Sequence, residues 1–448
     1  MYFNGVETEE RCTKLDAEPL RGRSTDSSLG RTAVQDRGPH KGHGMNKVVE
    51  MLHKRNDNGR QSRLEARRGG MLVLCALEPR GLGSKGSKLH WFRCEMSEQR
   101  EMRLEISDRV GNRLVPGEAN RAGGAIARLN GRELLANRGT SLNLDWVEHV
   151  RVNTSAVERR AATLVTRRTV KKDWQIAWLL RAITCMDLTT LSGDDTDERV
   201  KRLCAKARQP ISQEIMEKLG VGELGVQVGA VCVYHLFVET ARRALEGTKI
   251  PVAAVSTGFP AGLTPLEERI AEIRRSVEAG AQEIDVVITR ARVFGGDWQK
   301  LYDEIVAFKD ACGPAHLKVI LGTGDLLTLR NVQRASLVAM MAGADFIKTS
   351  TGKESINAVL PVGLVMTRAI REYAEETGMA VGFKPAGGIR TAKQSLEWLM
   401  LMKEELGNSW LDAYLFRMGA SGMLGDIERQ LEFHATGRYS AEYRHPLA

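Results

Sequence analysis

From about residue 141 onward, short β-branched or apolar runs alternate with amphipathic stretches, and nothing else constrains the fold as tightly. The spacing predicts strands at Ile183–Leu188, Ala230–Tyr234, Val252–Thr257 and Glu283–Ile288, then at Leu317–Leu321, Phe346–Thr351, Val381–Pro385 and Leu415–Met418. Helical periodicity fills the intervals at Thr264–Ala279, Leu301–Ala311, Asn331–Ala342, Val362–Thr377 and Ala392–Leu406, after an opening helical stretch, Val157–Ala182, interrupted near Thr169. Eight strand–helix units in about 270 residues match the size of a (β/α)8 TIM barrel. A doubly wound open sheet is the alternative, but it usually has fewer strands and a Gly-rich nucleotide turn after the first, which is missing here.

Residues 1–140 have a different texture. They are rich in Gly, Arg, Ser and Asn, and segments such as Arg21–Gly42 lack the apolar surface that would offset chain entropy. The expectation is an α/β TIM barrel at 141–448 behind a largely disordered, basic N-terminal extension at 1–140. Charge follows the same division. Of 65 Lys+Arg and 56 Asp+Glu, the first 140 residues hold 26 and 18, which leaves 39 and 38 in a near-neutral remainder. Of the net charge of +9, the extension therefore carries +8, and nucleic-acid binding by the barrel is not expected. Seven cysteines, an odd number without close spacing, read as reduced thiols of a cytosolic protein and not as a zinc site. The early apolar run Met71–Leu77 is too short to span a bilayer, and Glu7, Glu9 and Glu10 argue against a targeting peptide.

Five of the predicted strands carry a charge inside an apolar run: Asp187, Asp285, Lys318, Lys348 and Lys384. Side chains alternate along a strand, so Phe346, Lys348 and Ser350 share one face and Ile347, Thr349 and Thr351 the other. With the apolar neighbours under the outer helices, the charges point into the barrel. Several buried charges in one barrel are expensive, and barrel active sites lie at strand C-termini. Glycine-bearing loops follow three of the strands, at Gly352, at Gly387 and Gly388, and at Gly419. Barrels often bind phosphate through loops of this kind, whose backbone N–H groups glycine leaves accessible.

Three of these segments, Phe346–Lys353 (FIKTSTGK), Gly382–Arg390 (GFKPAGGIR) and Met186–Leu191 (MDLTTL), resemble the signature strands of the deoxyribose-phosphate aldolase family, over roughly residues 145 to 440. The resemblance implies a class I, Schiff-base lyase acting on a phosphorylated sugar without a cofactor or metal. It makes Lys348 the Schiff-base lysine, Lys384 the lysine that perturbs it, and Asp285 the proton-relay carboxylate. Asp187, Thr189, Cys232, Lys318 and Thr351 fall in the substrate pocket. Gly352, Lys353, Gly387, Gly388, Gly419 and Ser421 fall on phosphate-binding positions, while Gly422 replaces a small hydroxyl residue.

The chemistry asks for a neutral amine. An ordinary lysine, with a pKa of about 10.4, is protonated at neutral pH and is a poor nucleophile. Two ammonium groups about 5 Å apart at an effective dielectric of about 20 repel by about 3 kcal/mol. Repulsion by Lys384 is thus expected to dominate, with burial acting in the same direction. The competing readings are another class I lysine aldolase of phosphorylated sugars and an RNA-associated scaffold that binds through the basic arm. Self-association into a homo-oligomer is compatible with all of them.

Overall fold

The computed structural model describes residues 124–167 and 170–446. Eight parallel strands form the central sheet: β3 (Met186–Thr189), β4 (Ala230–Tyr234), β5 (Val252–Ser256), β6 (Glu283–Val287), β7 (His316–Ile320), β8 (Phe346–Lys348), β10 (Gly382–Lys384) and β11 (Met418–Ala420). Each pairs with its neighbour in the order β10-β8-β7-β6-β5-β4-β3-β11. Backbone bonds from Phe383 to Leu415 (2.9 Å), Arg417 to Phe383 (3.1 Å) and Gly419 to Pro385 (2.9 Å) join the two end strands and close the barrel. This is the expected TIM barrel. All eight predicted runs contain or adjoin a strand.

Three boundaries differ by three residues, one of them at Phe346–Thr351, whose strand already stops at Lys348. Ile183 and Thr184 end the helix Lys172–Thr184, and the first barrel strand begins only at Met186. The last strand lies three residues later than its apolar run, at Met418–Ala420. Burial explains the shift of the first strand, because a buried helix end and a buried strand look alike over a few residues. The outer helices follow from local chemistry as well as periodicity. Thr391 and Gln394 form a capping box at the start of Ala392–Leu406, and Pro361 opens Leu360–Thr377, which stops at Gly378 with φ +74°.

Residues 124–140, assigned above to the extension, are folded. Strands β1 (Ala127–Leu129) and β2 (Arg132–Ala136) form a hairpin around Asn130 and Gly131, both at positive φ (49° and 81°) as a two-residue turn of this kind requires. The hairpin adds to the short strand β9 (Met379–Ala380) just before β10. Buried Asn137 fixes it by donating to the carbonyls of Met340 (2.9 Å) and Ala344 (2.8 Å) and accepting from the Tyr373 hydroxyl (3.0 Å). Folded residues are therefore present before 141, and residues 1–123 lie outside the described residues, as does Thr169. No helix among the described residues is long and apolar enough to cross a membrane.

The core lies between barrel and helices. Ile284, Val286, Leu317, Val319, Ile347 and Phe383 point outward into it, fully buried. Their strand neighbours consequently point inward, where the charges are.

Candidate active site

Parallel register aligns inward residues of adjacent strands. Lys384 of β10 lies opposite Lys348 of β8, and Asp285 of β6 opposite Lys318 of β7. Five side chains assigned to the site from the sequence meet in one buried network. Asp285 Oδ2 accepts from both Lys348 Nζ and Lys384 Nζ at 2.7 Å, while Oδ1 accepts from Lys318 Nζ at 2.9 Å. The two nitrogens that share Oδ2 are at most twice 2.7 Å apart, about 5.4 Å. Lys384 also pairs with Asp187.

Two further members escaped the sequence reading. Glu283 Oε2 holds Lys318 at 2.6 Å, and the Arg417 guanidinium binds Glu283 (2.7 Å) and Asp187 (2.6 Å). Both residues are buried. The signal was available in each case. Glu283 stands two positions before Asp285 and so shares its face, and Arg417 interrupts an apolar run as the five recognised charges do.

The three lysines have different surroundings, and their charge states follow. Burial opposes the charge of Lys318 and of Lys384, yet two carboxylates apiece outweigh it and hold both above the usual lysine range: Asp285 and Glu283 for the first, Asp187 and Asp285 for the second. Lys348 has one carboxylate oxygen, and shares it. Burial lowers its pKa, Asp285 only partly restores it, and the Lys384 ammonium lowers it again. The expectation that repulsion dominates is thus corrected: burial is the larger cause and repulsion the smaller. Asp285, despite burial, is held well below the usual carboxylate range by Lys318, Lys348 and Lys384.

The remaining candidates fall in three groups. Cys232 is buried beside the network; burial pushes its thiol pKa up, and with Ala253 and Val255 it forms a small apolar cluster backed by Leu191, Tyr234 and Phe259. Thr189 lies opposite Cys232 and donates its hydroxyl to the Asp187 carbonyl at 2.8 Å. Buried Thr351 donates its hydroxyl to Glu354 at 2.7 Å.

The glycine loops are in contact, for a Cβ built on Gly352 would lie 3.8 Å from Gly387 Cα. Not all of their amides point outward. The Gly352 amide is engaged by Glu354 (3.1 Å) and that of Gly419 by the Pro385 carbonyl (2.9 Å). Gly419 is instead needed for close approach, because a Cβ there would sit 2.9 Å from Ala386 Cβ and 3.4 Å from Lys384 Cε. A Cβ on Gly388 or Gly422 would meet nothing within 4 Å. Lys353 and Ser421 are exposed.

An eight-stranded parallel barrel with a charge-tuned lysine at a strand C-terminus has the form of a lysine-dependent barrel enzyme. The chain belongs to the DeoC/LacD family of aldolases, whose sequence pattern matches residues 181–423. It is 58% identical over 313 residues to the mouse protein named deoxyribose-phosphate aldolase, with 69% of this chain and 98% of that one covered. Identity to the human protein of the same name is 57% over 314 residues, covering 70% and 99%. Among solved structures, one from Toxoplasma gondii ME49 has a TM-score of 0.50 at 22% identity, covering 60% of this chain and 98% of its own, a likeness of fold.

Proposed function

We propose that the chain cleaves 2-deoxy-D-ribose 5-phosphate reversibly to glyceraldehyde 3-phosphate and acetaldehyde, with Lys348 as the Schiff-base residue. The supporting observation is that, of three interior lysines, Lys348 alone has its pKa lowered. The identity to deoxyribose-phosphate aldolases across nearly their whole length supports the choice of substrate.

Neutral Lys348 adds to the C1 aldehyde of the open-chain sugar, and loss of water gives a protonated imine. Once its nitrogen is bound to carbon, Lys348 has fewer protons to give Asp285, so Oδ2 gains room to accept the C3 hydroxyl proton, directly or through a water. Lys384 stays charged and steadies the carboxylate. The C2–C3 bond then breaks, its electron pair moves to the imine nitrogen, and glyceraldehyde 3-phosphate leaves. The enamine takes a proton at C2, and hydrolysis releases acetaldehyde and restores the amine. Lys318 holds Asp285 and Asp187 holds Lys384 in place, and Lys353 with the Gly387–Gly388 loop and Ser421 receives the phosphate.

Incubation with acetaldehyde and borohydride should add a reduced two-carbon adduct on Lys348, located by peptide mass spectrometry. Lys348→Ala should lose both the adduct and cleavage of deoxyribose 5-phosphate. An active enzyme that leaves Lys348 unmodified contradicts the assignment. Work in the cytoplasm fits the buried thiols of Cys204, Cys232 and Cys312, and cell fractionation would check it.

A further inference from the structure

Glu354 closes the loop after β8 on itself. Its Oε2 accepts from the Thr351 amide (3.0 Å), the Thr351 hydroxyl (2.7 Å) and the Gly352 amide (3.1 Å), while Oε1 also accepts from the Thr351 amide (3.1 Å). Thr351 Oγ1 in turn accepts from the Lys353 amide at 3.1 Å. This resembles the reciprocal bonding of a capping box, although the next helix begins only at Leu360.

The same residue is tied to the second glycine loop. The Glu354 carbonyl accepts from Asn357 Nδ2 at 2.8 Å, and Asn357 lies against Gly387, where a Cβ would come within 2.8 Å of its side chain. Gly387 also needs its glycine conformation, with φ +80°. The next amide, of Ala358, donates to the Gly387 carbonyl at 3.3 Å. Glu354 and Asn357 thus join the two loops proposed above to receive phosphate.

Two consequences follow. The amides of Thr351 and Gly352 are already engaged and are not free to bind an anion. Lys353, one residue before Glu354, is exposed. A bare carboxylate next to a phosphate dianion would repel it, but three donors bear on this one and turn its oxygens toward the Thr351–Gly352 backbone.

We propose that Glu354 is a positioning residue for recognition of the phosphorylated end of the substrate. It holds the Thr351–Lys353 turn so that the Lys353 ammonium, not the Gly352 amide, is the group this loop presents to the phosphate. The role rests on the phosphate assignment above. It acts on affinity for phosphorylated substrate and leaves the chemistry at Lys348 alone.

The test compares the full-length wild type with Glu354→Ala and Glu354→Gln on 2-deoxyribose 5-phosphate and on unphosphorylated 2-deoxyribose. Binding of inorganic phosphate is measured by calorimetry on the same preparations. Glu354→Ala should raise KM for the phosphorylated sugar about five- to tenfold, the size of a lost capping contact. Its kcat, and kcat/KM for 2-deoxyribose, should hold, and phosphate should bind more weakly by the same factor. Glu354→Gln, which keeps an acceptor oxygen, should recover to within about twofold of wild type.

An unchanged or lower KM in Glu354→Ala would overturn the proposal; a lower one would show the carboxylate competing with phosphate. Equal losses on both sugars would also overturn it, by showing a general structural role. A wild type inactive on both sugars that still binds phosphate refutes the substrate assignment alone, and calorimetry then decides the role of Glu354. A wild type that binds no phosphate refutes the present proposal.

Discussion

The barrel interior has a charged arc and an apolar arc. From β6 through β8 and β10 to β3 the inward positions hold Glu283, Asp285, Lys318, Lys348, Lys384 and Asp187, joined by Arg417; on β4 and β5 they hold Cys232, Ala253 and Val255. Left to itself the charged arc would keep every lysine protonated, as it does Lys318 and Lys384, which face two carboxylates each. Lys348 has one, and shares it. Deprived of water without a second carboxylate in compensation, it is the one amine of the three whose pKa is lowered. The arcs therefore act together: one supplies ionised groups in fixed places, and the other withholds solvent and countercharge from a single nitrogen.

The largest effect expected from breaking this arrangement is on chemistry. Asp285→Asn removes the carboxylate that all three lysines address, and kcat should fall by about 10²–10⁴, the usual contribution of a positioned proton acceptor. Trapping of acetaldehyde on Lys348 should survive, since imine formation needs only the neutral amine. Next in size is a stability effect. Arg417→Met strands Glu283 and Asp187 without their common partner, and such a buried break costs about 3–5 kcal/mol, measurable by urea denaturation. A smaller change should sharpen the contrast between the arcs. Cys232→Asp places a carboxylate where the apolar arc approaches the amines, so the acid limb of kcat/KM should move to higher pH, while the neutral control Cys232→Asn should move it less.

Much of this was legible beforehand because a charge inside an apolar run is conspicuous, and strand alternation says which way it points. That logic reached Asp187, Asp285, Lys318, Lys348 and Lys384, and applied consistently it would have reached Glu283 and Arg417. The hairpin at residues 127–136 carried its own sign in Asn130-Gly131, but its short strands are hard to tell from the Gly- and Arg-rich sequence before them. Two matters were beyond reach. Whether burial or repulsion governs Lys348 depends on how many oxygens meet each nitrogen, which spacing does not encode. Whether a loop amide is free depends on its direction: Gly352 turns to Glu354 and Gly419 to Pro385, though both loops read as anion sites.

The central claim is that Lys348 is neutral in a barrel whose other interior lysines are charged, and the pH dependence of borohydride trapping at Lys348 tests it most directly. A depressed amine gains its free base as pH rises through a value below the ordinary lysine range, so the midpoint of the trapping curve should lie below pH 10.4. Lys384→Met removes one depressing charge and leaves Asp285 less balanced, and both changes raise the Lys348 pKa, so the curve should shift to higher pH. A wild-type curve that climbs only in the ordinary lysine range, or one that Lys384→Met does not move, would contradict the account.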